Sequence, residues 1–166
     1  MELKPIAREA IPRALQKAER YRLLEQPWAA ESICLDVLAV EPDNQDALVS
    51  LVLALSDQLG DAPAETLRRA RELLPRIRDE YQREYYAGIL AERRALVELR
   101  HGAHGSGANA YEWIREAMAA YERAERIEPA DTDDATLRWN TCVRLLNTRR
   151  ELSPRPEPTY EPALED

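Results

Sequence analysis

The stretch AMAAYERAERIEP, residues 117–129, decides how the chain is read. Its landmarks are Ala117, Tyr121, Ala124 and Pro129, at offsets 0, 4, 7 and 12. Small or apolar side chains at i, i+4 and i+7 share one face of a helix, and a proline just beyond them stops it. The same ruler fits twice more. Residues 30–42 supply Ala30, Cys34, Val37 and Pro42, and residues 63–75 supply Pro63, Leu67, Ala70 and Pro75. The chain therefore contains three helices of one design.

Each is preceded by a partner. IPRALQKAERYRLL places Ala14, Ala18 and Tyr21 on one stripe. DALVSLVLALSDQLG turns Leu48, Leu51, Val52 and Leu55 inward, with Asp43 and Asn44 ready to cap its start and Gly60 expected at its C-cap. Asp61 is expected to cap the next helix, with Glu65 in its first turn. A longer helix is predicted over residues 78–99, RDEYQREYYAGILAERRALVEL. After Pro129 the run DTDD reads as the cap of a closing helix, DATLRWNTCVRLLNTRRE.

Pro42 and Pro75 lie 33 residues apart, and Pro75 and Pro129 lie 54 apart. A period near 34 residues with this punctuation resembles the tetratricopeptide repeat family, whose signature runs W-x2-L-G-x2-Y…A-x3-F…P. The third unit matches in Ala117, Tyr121, Ala124 and Pro129, and the first in Tyr21, Ala30 and Pro42. The second unit diverges, with Pro63 where a small residue belongs, and the Trp-x2-Leu-Gly portion is poorly kept throughout. The third unit carries an insertion of about 20 residues, assigned to extra helical turns and to the loop HGAHGSGAN. The expected domain, residues 1–150, divides into repeats at about 9–43, 44–76 and 77–130 and a capping helix at about 133–149. A Pro-rich acidic tail occupies 151–166.

The resemblance implies an all-α fold, with antiparallel hairpins stacked as a short right-handed superhelix and the first helix of each pair lining a concave face. It also implies binding of a protein or peptide. Some family members hold a C-terminal carboxylate with inner-helix Lys and Asn residues; Leu15, Glu19 and Ser50 stand near those positions here, so that ligand is not expected.

Composition agrees with helices. The 166 residues include no Phe and only five Gly, and Ala, Leu, Glu and Arg are abundant. Mean hydropathy is −0.57. The longest apolar run, around residues 47–55, is far too short to span a bilayer, and MELKPIAREA lacks the apolar core of a secretory signal. Cys34 and Cys142 sit within helical apolar patterns and read as buried thiols of a cytoplasmic protein. A net charge of −8 argues against nucleic acid as the main partner. The charge is uneven: residues 68–100 carry nine Arg against six acids, whereas the last dozen residues include Glu157, Glu161, Glu165 and Asp166.

No catalytic constellation is visible, and no enzyme, cofactor or metal is expected. Ser32, Ser50 and Ser56 lie in helical patterns without a histidine in sequence reach. His101 and His104 read as ordinary loop histidines rather than half a metal site, since nothing nearby completes a ligand set. Tyr81, Tyr85 and Tyr86 read as core, the first two one turn apart, with an outward-facing Tyr86 on a neighbouring stripe as the alternative. The arginines of 68–78 and 93–100 alternate with acids as exposed i,i+4 pairs do, and the sharper reading of them is a basic strip facing an acidic ligand.

The candidate partner-binding residues are Arg22, Val49, Leu53, Tyr86 and Arg93, all off the core stripes of the first helices. An apolar floor flanked by arginines suits an extended peptide or a helix with both apolar and acidic residues. The alternative is a structural module that self-associates through its open ends, in which Trp139, Leu145 and Leu146 are the residues to watch. The tail PTYEPALED, with Tyr160 and Leu164 among acids, is the complement of such a groove and a candidate plug for it, against the plainer reading of a solubilising acidic terminus.

Overall fold

Apolar stripes at helical spacing cannot be buried by one helix alone, so the chain folds by stacking hairpins. The computed structural model describes residues 1–103 and 105–155 and contains seven α-helices. These are α1 Ile11–Leu23, α2 Pro27–Val40, α3 Gln45–Asp57, α4 Pro63–Leu73, α5 Glu80–His101, α6 Ser106–Glu125 and α7 Asp134–Thr148. No strand occurs among the described residues. Each helix packs on the next except across the α4–α5 step, where contact is sparser, and α1, α3 and α5 also pack on one another in turn.

The offset ruler marks what is buried. Ala30, Cys34 and Val37, then Leu67 and Ala70, then Ala117, Tyr121 and Ala124 are all inside. Leu48, Leu51, Val52 and Leu55 of α3 join the first set. Tyr121, Cys142, Ile114 and Ala95 centre a second cluster between α5, α6 and α7. Tyr86 and Trp113 pack against both clusters. The insertion lengthens the third hairpin: α5 and α6 have 22 and 20 residues, against 13 and 14 for α1 and α2. Gly88 lets these long helices approach, since a Cβ there would lie 2.4 Å from the Tyr121 ring. Gly102 and Gly105 turn the chain between them in the left-handed region.

Three cap expectations are corrected. Helix α3 ends at Asp57, short of Gly60, because Gln58 satisfies its last turn: the side-chain amide donates to Ala54 O at 3.1 Å, and Gly60 has no positive φ. Asp61 does not cap α4. Ala62 takes that position and Pro63 follows at N1, where a missing N–H costs nothing. Asp133 sits at the N-cap of α7 without a side-chain bond, and Glu128 does the bonding instead. Its Oε1 accepts from Ala135 N–H at 2.9 Å and from Tyr81 Oη at 3.0 Å. Asn44 and Asp79 are side-chain caps of the ordinary kind, for α3 and α5.

Packing continues past the last helix. Leu152 is buried against the α5–α6–α7 cluster, and the Glu151 carbonyl lies over Gly107, where a Cβ would meet it at 2.2 Å. Trp139, Leu145 and Leu146 are half-buried on the same cluster, so α7 spends these three internally and leaves Leu137 exposed. Tyr160 and Leu164 lie outside the described residues.

Candidate functional site

Because α1, α3 and α5 pack successively, the stripes they do not bury against their hairpin partners face one side together. Two hollows lie there. The first, about 490 Å³, is lined by Leu15, Glu19 and Arg22 of α1, Val49, Ser50 and Leu53 of α3, and Tyr86 of α5. The second, about 660 Å³, is lined by Arg22, Ser56, Asp57, Arg93, Leu96 and Arg100 among others. Glu19 and Arg22 line both, so the two are lobes of one surface. Arg22, Val49, Leu53 and Tyr86 are thus brought together in one lobe. Arg93 stands in the other, joined to the first through Arg22.

The apolar members are half-buried rather than free. Val49 and Leu53 lean on the two core clusters, and Tyr86 stacks edge-on against Tyr85 at 5.4 Å between ring centroids. Tyr81 and Tyr85 stack at 5.8 Å, and Tyr85 meets Tyr121 at 5.9 Å. Burial pushes the Tyr86 phenol above its ordinary pKa. It stays neutral over the physiological range and offers the lobe a hydroxyl at the edge of an apolar ring.

The arginines are not free either. Arg22 Nε donates to Asp57 Oδ2 at 2.7 Å, and Arg93 Nη1 donates to the other oxygen, Oδ1, and to Ser56 Oγ. The Ser56 hydroxyl donates in turn to Leu53 O at 2.6 Å. One carboxylate on α3 therefore ties α1 and α5 together. Desolvation lowers the Arg93 pKa, opposed by the attraction of Asp57, yet a guanidinium stays charged at any ordinary pH. The lobes together present Arg22, Arg93 and Arg100 against Glu19, Glu25, Asp46 and Asp57, so the surface is close to neutral rather than a basic strip.

The sequence reading missed Asp57. A signal for it was present: an acid in the last turn of a helix meets the negative end of the macrodipole and needs a partner elsewhere. Arg68 and Arg94 form the expected helical pairs, with Glu65 and Glu72 and with Glu98. His101 is exposed at the end of α5, and His104 lies outside the described residues. Among the described residues no group of three or more His, Cys, Asp or Glu side chains is placed to hold a metal ion. Among the described residues no helix is long and apolar enough to cross a membrane.

Comparison with protein-family models, with curated proteins and with solved structures finds no match.

Proposed function

We propose that the chain is a non-catalytic binding protein, a short tetratricopeptide-like array that holds a protein or peptide segment against the shared face of α1, α3 and α5. The observation that carries this reading is the two-lobed hollow. Its first lobe gathers Leu15, Val49, Leu53 and Tyr86 from three different helices, and its second holds the Arg22–Asp57–Arg93 link. Rigid helices offering many small contacts and no reactive group are suited to recognition. Because Asp57 already occupies both arginines, apolar anchors carry the affinity, and an acidic group on the ligand adds to it only by competing with Asp57.

A peptide-display selection against the full chain tests this. Sequences with apolar anchors and flanking acids should be enriched, and Leu53→Glu should lose them at an unchanged melting temperature. Should Leu53→Glu itself melt early, Gln16→Trp, at an exposed position lining the same lobe, serves in its place by filling it. Failure to enrich any sequence over a surface blank would sink the reading.

A second reading, self-association, is favoured by one observation. Trp28 and Leu24 are 67% and 56% exposed on the first hairpin, with Leu35 beside Trp28 on α2. Unlike α7, this face has spent none of its apolar residues internally. Light scattering across protein concentration, with Trp28→Glu as the control, separates a dimer through this face from a monomer.

A further inference from the structure

A second groove lies beside the short α4, against the long third hairpin. It runs between α4 and α6 over the back of α5 as two hollows of about 490 and 620 Å³ that meet at Arg71. Its apolar floor is Leu67, Leu74, Ala87 and Trp113. Its walls carry Arg68, Arg71, Arg83, Arg94 and Arg123 against Glu72 and Glu84. This groove holds five arginines, against three on the shared face of α1, α3 and α5.

Several of these arginines are paired. Arg71 reaches Glu116, Arg123 reaches Glu84, Arg94 reaches Glu98, and Arg68 reaches Glu65 and Glu72. Most of these are exposed pairs that contribute little and leave the guanidinium donors open to a further carboxylate. Two donors stand apart. Arg83 bonds only the carbonyls of Ile77 and Arg78 among the described residues. Arg94 Nη1 is buried and meets no protein acceptor among the described residues, while its guanidinium and that of Arg71 flank the Trp113 ring at 5.9 and 5.1 Å. A buried donor without an acceptor is unfavourable, and a carboxylate at that place would supply one.

Where the described chain ends names the occupant. Asn109, Trp113, Glu116 and Arg123 form one stripe of α6, at spacings of 4, 3 and 7, and Trp113 and Arg123 of that stripe line this groove. Arg155, the last described residue, donates from Nη2 to Asn109 Oδ1 at 2.6 Å, at the head of that stripe. The eleven residues that follow read PEPTYEPALED: four carboxylates, Tyr160 and Leu164. At about 3.1 Å per residue a polyproline-like segment of that length spans roughly 34 Å. The stripe from Asn109 to Arg123 is only about 21 Å long.

We propose that residues 156–166 dock in their own chain's α4–α6 groove, with the acids on Arg68, Arg71, Arg83 and Arg94 and with Tyr160 and Leu164 on the Trp113 floor. The shared face of α1, α3 and α5 carries three arginines to this groove's five, and Asp57 already holds Arg22 and Arg93, so the tail leaves that face open. This inference stands apart from the binding function proposed above and survives or fails without it.

The test is nuclear magnetic resonance of the full chain. Nuclear Overhauser effects are expected from the Tyr160 ring and Leu164 methyls to Leu67, Leu74 or the Trp113 indole. They should be lost in Glu157→Lys/Glu161→Lys/Glu165→Lys, while the Tyr121 core signals keep their positions. Contacts to Val49, Leu53 or Tyr86 would overturn the proposal, as would no contact from residues 156–166 at all. Contacts that arise only between differently labelled copies in a mixed sample would overturn it too, and would assign the groove to a neighbour's tail.

Discussion

The first hairpin and the third share one sequence ruler but end differently. Helices α1 and α2 meet through Ala18, Ala30 and Cys34 and leave Leu24, Trp28 and Leu35 uncovered. Helices α5 and α6 meet through Gly88 and Tyr121 and are covered by α7. At the covered end polar fastenings reach α7. Glu92 is 7% exposed and accepts from Tyr121 Oη at 2.7 Å and from Arg138 of α7 at 3.3 Å. Glu128 holds Tyr81, Thr132 and the start of α7. Apolar packing tolerates sliding, whereas a buried carboxylate accepts few geometries, so the fastenings fix where α7 lies. An end left open needs no such fixing.

The strongest way to break this contrast is Tyr121→Ala. It empties a fully buried ring site and leaves Glu92 with Arg138 alone. We expect a loss of about 3–5 kcal/mol in urea unfolding, the range for large aromatic truncations. A loss below about 1 kcal/mol, inside ordinary surface scatter, would show that the third hairpin does not depend on this ring.

Alkaline unfolding probes both halves, because each buries one thiol. Burial pushes Cys34 and Cys142 up to about 12, against 9.0 for a free thiol. Below pH 9 the thiol is protonated in folded and unfolded chains alike, and stability is full. Between pH 9 and 12 the unfolded chain ionises and the folded one does not. Stability then falls by about 1.4 kcal/mol per pH unit for each thiol. The Tyr121 phenol, raised by burial and by Glu92, adds to the fall. Cys34→Ala and Cys142→Ala should flatten the slope by similar amounts, which unfolding series at pH 8 to 11 would check. Equal slopes in wild type and both variants would show that neither thiol is buried in solution.

A smaller effect separates fastening from packing. Glu128→Gln keeps the shape and removes the charge, and about 1 kcal/mol should go, as for other lost helix caps. Hydrogen exchange should quicken in α7 and not in α1. Uniform quickening would mean that α7 is held by its apolar stripe alone. The smallest effect is expected at the open end. Trp28→Ser should change the stability of the monomer by no more than about 0.5 kcal/mol. A larger loss would place Trp28 in a contact that the first hairpin makes within the chain.

The helices were legible in the sequence because their evidence is local. The ruler from Ala117 to Pro129, repeated at Ala30 and Pro63, needs only neighbours along the chain, and its positions other than the prolines are buried. Caps were read less well. Gly60 and Asp61 are plausible cap residues, but Gln58 and Pro63 settled the matter first, and a reading by residue type cannot rank such competitors. The candidate site was legible as far as which stripes lack a hairpin partner, which placed Arg22, Val49, Leu53 and Tyr86 along one lobe. What joins the stripes was not. The Arg22–Asp57–Arg93 link spans 35 and 36 residues, and the groove beside Trp113 depends on how far α6 outreaches α4. Both depend on which helix lies beside which, information carried by the packing rather than by any segment.

Gly88 bears on how units of this kind are inherited. The Tyr121 ring fills the place where a Gly88 side chain would stand, so the two positions, 33 residues apart, form a single trait. The first and second hairpins carry Cys34 and Leu67 at the equivalent offset and make no such demand. An exchange of segments that moved Tyr121 without Gly88, or the reverse, would transmit half a fit. Among descendants of this chain the pair should change together or not at all, and each hairpin should be exchangeable whole more readily than helix by helix.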